Sequence, residues 1–107
     1  MNVDFTNTDI SHVNMVDTVF ENCDLSNLSI ENEWLSRVHF INCKLTGLNL
    51  ESTSLHDVHI ENSHCKYLSI VLSNLKDSLF IDNDMSDAVF FSNEVKNLLL
   101  KNTSFIN

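Results

Sequence analysis

The sequence contains no proline, and its only glycine is Gly47, although a chain with many turns normally uses both residue types. It has no apolar run of 18 residues, so no membrane-spanning helix is expected. Basic residues are scarce: 6 Lys and Arg stand against 15 Asp and Glu, for a net charge of −9. Direct binding of nucleic acid, which needs a basic surface, is therefore not expected either. Turns must be built from the abundant Asn, Asp and Ser residues.

Apolar residues recur at every fifth position, and all 21 positions of this series from Phe5 to Phe105 are apolar. Neither a helix nor an alternating strand has this period, so the pattern predicts an internal repeat. The residue two before each centre is mostly small or modestly apolar. The residue two after it is mostly Asn or Asp.

Two inward side chains in every five residues imply a bend every five residues, and four bends close a square. One coil then takes 20 residues, and residues 1–107 form a single all-β domain, a quadrilateral parallel β-helix of about five coils. Strand spacing places successive coils about 4.8 Å apart. Residues 20 apart in sequence should stack. The predicted core stack is Phe20, Phe40, Ile60, Phe80 and Leu100. The predicted corner ladder of hydrogen-bonded side chains is Asn22, Asn42, Asn62, Asp82 and Asn102.

This pattern of an apolar centre, a small residue two before it and polar residues around both resembles the pentapeptide-repeat family, which implies a right-handed coil. Four segments are similar more narrowly to its Qnr and MfpA-like branch in Gram-positive bacteria: CDLSN at 23–27, EWLS at 33–36, RVHFINCKLTG at 37–47 and LLLKNTSF at 98–105. That resemblance implies an acidic dimeric rod that mimics DNA, binds DNA gyrase or topoisomerase IV and modulates fluoroquinolone sensitivity. The chain is shorter than that branch and lacks its C-terminal helix and loops, so no functional residue carries over.

Candidate chemical groups are few. His39 and His59 fall in one outward column, but His56 and His64 point from other faces, so a metal site is not expected. Stacking of Cys23 on Cys43 permits a disulfide, although buried free thiols are favoured. No nucleophile, base and carboxylate converge in a cleft, so we expect no enzyme activity and no cofactor. The odd number of cysteines and the absence of a signal peptide indicate a cytoplasmic protein.

Outward apolar residues indicate an interface. The predicted self-association surface is Val71, Leu79, Ile81, Val89, Phe91, Leu99 and Ile106. An uncapped solenoid also exposes strand edges, so we expect a homodimer through the C-terminal coils or end. Trp34 points outward, either as an anchor for a partner or lying flat over its neighbours. The predicted function is a protein-binding rod, with a topoisomerase or an unrelated scaffolding partner as the alternatives.

Overall fold

The structure is a computed structural model of the chain, and it describes residues 15–103. Within that range the chain forms nine β-strands. In chain order they are β1 (Met15–Glu21), β2 (Ser29–Glu31), β3 (Trp34–Ile41), β4 (Asn49–Glu51), β5 (Ser54–Glu61), β6 (Ser69–Val71), β7 (Asn74–Ile81), β8 (Val89–Phe91) and β9 (Glu94–Lys101). No helix in this range is long and apolar enough to cross a membrane.

The strands pair in parallel between successive coils. The long strands form a five-stranded sheet in the order β1-β3-β5-β7-β9, and the short ones form a four-stranded sheet in the order β2-β4-β6-β8. Every paired residue lies 20 positions from its partner, as Leu35 does from Met15 and from Leu55. The predicted all-β parallel β-helix and its 20-residue coil are therefore confirmed. Five coils contribute a strand to the larger sheet.

A left-handed backbone conformation marks the corners of the coil. Every fifth residue from Asp17 to Asn102 has a positive φ, between 49° and 71°. Asn and Asp tolerate this conformation because their short side chains bond to the local backbone. They occupy 12 of the 17 non-glycine corners, which explains how the chain turns with so little glycine.

The corners divide each coil into four faces of five residues. We number them from residues 33–37 (face 1), 38–42 (face 2), 43–47 (face 3) and 48–52 (face 4), together with the equivalent residues in the other coils. Between faces 3 and 4, the Leu48 amide donates to the Leu45 carbonyl at 3.1 Å. This bond closes a type II turn, whose third residue, Gly47, has φ +71°.

The inward side chains are the centre of each face and the residue two before it. In the predicted core stack, the Phe20 and Phe40 rings lie parallel, with centroids 5.2 Å apart. Phe40, Ile60 and Phe80 are almost fully buried. Leu100 is in register with Phe80 but remains 44% exposed, because it belongs to the last coil that the structure describes.

Small polar residues in the position two before the centre bond to the backbone of neighbouring coils, which the sequence analysis did not predict. The Thr53 hydroxyl donates to the Ile30 carbonyl at 3.0 Å, and the Thr53 amide donates to the Ser73 hydroxyl at 3.1 Å. Asn83 uses a longer side chain in the same way, donating to the Ile60 carbonyl at 2.8 Å. These bonds satisfy buried backbone groups that would otherwise cost free energy.

The residues of the predicted corner ladder lie in one column outside the core. The Asn62 amide donates to the Asn42 side chain, and the Asn102 amide donates to the Asp82 carboxylate at 2.7 Å. Asn22 occupies the equivalent corner of an earlier coil, also with positive φ. The structure therefore records two side-chain links along this column.

Replacing Thr53 by Val should lower the free energy of unfolding by about 1–3 kcal/mol, because the buried Ile30 carbonyl loses its hydroxyl donor. Thr53→Ser keeps the hydroxyl and should cost less. Urea denaturation of the two variants measures the difference. Equal stability of Thr53→Val and the original protein would contradict this role of the hydroxyl.

Leu72 has φ +54° at an exposed corner, a conformation that is unfavourable for a leucine. Leu72→Asn should therefore raise the free energy of unfolding by about 1 kcal/mol. Asn62→Leu provides the reverse control and should lower it, since it also removes the link to Asn42. Thermal melts would contradict the argument if both substitutions shifted stability in the same direction.

Candidate functional site

The two histidines that the sequence placed in one outward column lie together on the surface. The His39 and His59 rings stack as their spacing predicts, with centroids 4.4 Å apart and planes 9° apart. His59 Nε2 lies 3.3 Å from Asp57 Oδ1. In the part of the chain that the structure describes, no group of three or more His, Cys, Asp or Glu residues is placed to hold a metal ion.

Cys23, Cys43 and Cys65 are buried and form no disulfide. The Cys43 thiol donates to the Phe20 carbonyl at 3.2 Å, which makes it one more member of the side-chain-to-backbone ladder. Burial raises the pKa of the Cys65 thiol to about 12, with the charge of Asp84 as a smaller cause. Burial also raises the pKa of Cys43. The Cys43 and Cys65 thiols therefore stay protonated near neutral pH, and both lie in the packed interior.

Face 2 carries an outward stripe of apolar and imidazole side chains along the whole described solenoid. This face 2 stripe consists of Val19, His39, Ile41, His59, Leu79, Ile81 and Leu99. Val19 and Leu99, at its two ends, are 50% and 58% exposed, and the residues between them are half-buried. An apolar strip of this length on a sheet surface is typical of a docking surface.

Charged groups border the face 2 stripe. At the corner with face 1, the Arg37 guanidinium donates to both carboxylate oxygens of Asp17. This hydrogen bond lowers the pKa of Asp17. Asp57 and Asp77 continue the same corner column. The pair between Arg37 and Asp17 is exposed, contributes little to stability and has no net charge, so the negative charge of this border comes from Asp57 and Asp77.

Face 4 is acidic in its early coils and apolar in its later ones. Glu31 pairs in register with Glu51, and Val71 pairs with Phe91 further along the same column. The face 4 patch consists of Val71, Leu72, Val89 and Phe91 on that face, with Tyr67 at its corner with face 3. Phe91 is 64% exposed. Val71 is half-buried, and the other members of the patch are exposed.

Face 1 contains a shallow groove beside a basic column. The groove has a volume of about 260 Å³ and is lined by Val16, Trp34, Leu35, Ser36, Ser54 and His56. Trp34 is 63% exposed along one side of it. Lys76 and then Lys96 follow His56 in register along one column. These two lysines give face 1 a basic column, although the same face also carries the carboxylates Asp57, Asp77 and Glu94.

The residues of the predicted self-association surface divide between face 2 and face 4, which lie on opposite sides of the coil. Three of them are exposed and three are half-buried: Val89, Phe91 and Leu99, then Val71, Leu79 and Ile81. Ile106 lies outside the described residues.

At outward and corner positions, sequence reasoning missed four exposed apolar side chains: Val16, Val19, Tyr67 and Leu72. The five-residue repeat already assigns all four to outward or corner positions, so listing the apolar residues at every such position would have identified them.

Comparison with known proteins agrees with this architecture. A family model described as a pentapeptide repeat region matches residues 33–106, and a model of eight pentapeptide repeats matches residues 1–32. The chain belongs to the pentapeptide-repeat family. A search of curated proteins finds no significant match for this pentapeptide-repeat protein.

Solved structures of other pentapeptide-repeat proteins share the fold. Rfr23 from the cyanobacterium Cyanothece superimposes with a TM-score of 0.79 at 15% identity, covering 87% of this chain and 64% of Rfr23. This chain therefore spans a little under two thirds of Rfr23. HetL from the cyanobacterium Nostoc, involved in heterocyst differentiation regulation, gives a TM-score of 0.37 at 11% identity, covering 81% of this chain and 39% of HetL.

The third similar structure is QnrB1, a plasmid-mediated fluoroquinolone resistance protein. It gives a TM-score of 0.34 at 10% identity and covers 99% of this chain and 83% of QnrB1. A superposition this poor carries no argument about function. The narrower resemblance to the Qnr and MfpA-like branch therefore stays a prediction.

The buried thiols should be inert in the folded protein. We expect the native protein to react negligibly with a thiol reagent at neutral pH, and all three cysteines to react after unfolding in guanidinium chloride. Asn74→Cys adds an exposed thiol on face 1 as a positive control and should react at once. Rapid native reaction of Cys43 or Cys65 would contradict their burial.

Proposed function

We propose that this pentapeptide-repeat protein is a protein-binding module whose docking surface is the face 2 stripe. The observation that carries this proposal is the continuity of the stripe: Val19, His39, His59, Leu79 and Leu99 form one column with no charged residue in it. At about 4.8 Å per coil, the column extends about 19 Å between its first and last residues.

The borders of the stripe define the chemistry of its partner. On one side of the column, Glu21 and Glu61 alternate with Ile41 and Ile81, and Lys101 follows in the last described coil. The corner carboxylates, among them Asp57, lie on the other side. A partner that fits these borders presents an apolar ridge with Lys or Arg residues on its flanks, because the ridge covers the stripe while its flanks meet carboxylates.

A topoisomerase is the second candidate partner, and the observation that favours it is the net charge of −9. Mimicry of DNA requires closely and regularly spaced negative charges, since duplex DNA carries one charge per about 1.7 Å of its axis. Among the described residues, acids follow one another along a column at Glu31 and Glu51 and at Asp57 and Asp77. This patchy distribution favours the apolar docking surface over the mimic.

The double variant Leu79→Asp with Leu99→Asp tests the docking surface. Two added carboxylates in the stripe should abolish capture of the partner from a lysate of the source organism, while circular dichroism stays unchanged. Thr46→Asp with Ser86→Asp is the matched control, because it adds the same charge on face 3. A partner retained equally by both double variants would contradict docking on face 2.

A supercoiling assay with DNA gyrase tests the second candidate. DNA mimicry predicts that micromolar protein alters gyrase activity, with or without a fluoroquinolone, and that Glu31→Lys with Glu51→Lys weakens the effect. The face 2 double variant should leave a charge-based effect in place. No change in gyrase or topoisomerase IV activity would eliminate this candidate and would leave the proposal of an apolar docking surface unaffected.

A further inference from the structure

We propose that face 1 of one copy of this protein packs against face 4 of a second copy, with the two coil axes antiparallel. This contact uses neither the face 2 stripe nor the ends of the coil, so it stands apart from the proposed function. Its support comes from a pair of lysines on face 1, from a pair of glutamates on face 4, and from Phe91 of face 4, which can meet the groove of face 1.

Each of the two faces holds a pair of like charges in adjacent coils. Lys76 and Lys96 are in register on face 1, and Glu31 and Glu51 are in register on face 4. Like charges opposite each other on neighbouring strands are destabilising. Within residues 15–103 none of these four side chains has an ion-pair partner. Both pairs are therefore placed to receive charges of the opposite sign from another molecule.

The spacing of the two pairs is the same because every copy has the same coil pitch. Each pair spans one step between coils, about 4.8 Å. Two copies whose axes are antiparallel can therefore match columns level by level over several coils. In the register that we infer, Lys76 meets Glu51 and Lys96 meets Glu31 of the second copy.

The orientation follows from the direction in which the chain crosses each face. Turning the second copy end over end makes the strands of the two contacting faces run the same way. Each face has two outward columns, one before and one after its inward centre in the direction of the chain. The column after the centre of face 1, which holds Lys76 and Lys96, then lies over the column after the centre of face 4, which holds Glu31 and Glu51. Parallel axes would place the lysines over the column before the centre of face 4, in which Ser29 and its register partners carry no charge.

The same register brings the apolar ends of the two faces together. Phe91 of the second copy lies over Ser36, and Val89 lies over Trp34. The face 1 groove beside Trp34 has a volume of about 260 Å³, which accommodates a phenyl ring. Phe91 is 64% exposed and Trp34 is 63% exposed, so both gain burial in the contact.

The size of a face limits the strength of this association. Five residues of a strand span about 16 Å and four coil levels about 19 Å, which gives a footprint of roughly 300 Å² per copy. A stable interface normally buries about 1,200 Å² or more in total. The contact should therefore be weak. It is also heterologous, so each copy keeps a free face 4 or face 1, and association continues beyond a pair. This differs from the closed homodimer expected from the sequence.

Charge reversal on either face provides the test. Sedimentation velocity of the full chain at low salt, from low micromolar to near-millimolar concentration, should show a weight-average sedimentation coefficient that rises with concentration. Lys76→Glu with Lys96→Glu should stay monomeric, and so should Glu31→Lys with Glu51→Lys. An equimolar mixture of these two variants should associate again, because each then offers the face that the other needs.

Matched controls separate this contact from other modes of association. Lys44→Glu with Lys66→Glu makes the same change in net charge on face 3 and should associate as the original protein does. Phe91→Ser should weaken association at unchanged circular dichroism. A monomeric original protein, association retained by both charge-reversed variants, or a mixture that stays monomeric would each overturn the proposal. Retained association would indicate contact through an end of the coil instead.

Discussion

A left-handed residue at every fifth position is the constraint on which the rest of this structure depends. It turns the chain by about a quarter of a circle, so four such residues return the chain to the same column 20 positions later. In-register pairing and stacked side chains follow from that return. Asn and Asp make the turn at little cost, whereas Tyr67 and Leu72 each face a penalty of about 1–2 kcal/mol. Both residues lie at corners of face 4, where an exposed apolar side chain contributes to the patch.

The same geometry leaves only the outward side chains available to a binding partner. Each face sends two side chains inward, and these fill the coil or, as Thr53 does, complete the hydrogen bonding of the backbone. Cys43 and Cys65 belong to this packed interior and have no access to a substrate. The outward residues form eight columns on four faces, and their order along the axis is the information that a partner can recognise. Face 2 offers an uncharged column, and faces 1 and 4 offer columns of opposite charge.

The sequence was sufficient for the fold because period and register are one-dimensional properties. The apolar series predicts the coil, and the spacing of His39 and His59 predicts their stacking. The bonds of Thr53 and Asn83 were not predictable, since a small polar residue in the repeat does not reveal which backbone group lacks a partner. The relation between faces 1 and 4 was missed for a different reason. It depends on the direction of each strand across its face and on the exposure of Trp34, which only the three-dimensional structure supplies.

A solenoid with uniform pitch has a problem of specificity that an irregular surface does not have. Any face of any copy fits any other face equally well in spacing, so geometry alone does not exclude wrong contacts. The sign and order of the charges must provide the distinction. A pair of lysines in adjacent coils repels another lysine pair and attracts single carboxylates, but it is matched best by two carboxylates at the same spacing. In the proposed contact, Lys76 and Lys96 meet the carboxylate pair of face 4 in one orientation, and relief of their mutual repulsion in the isolated chain favours that contact.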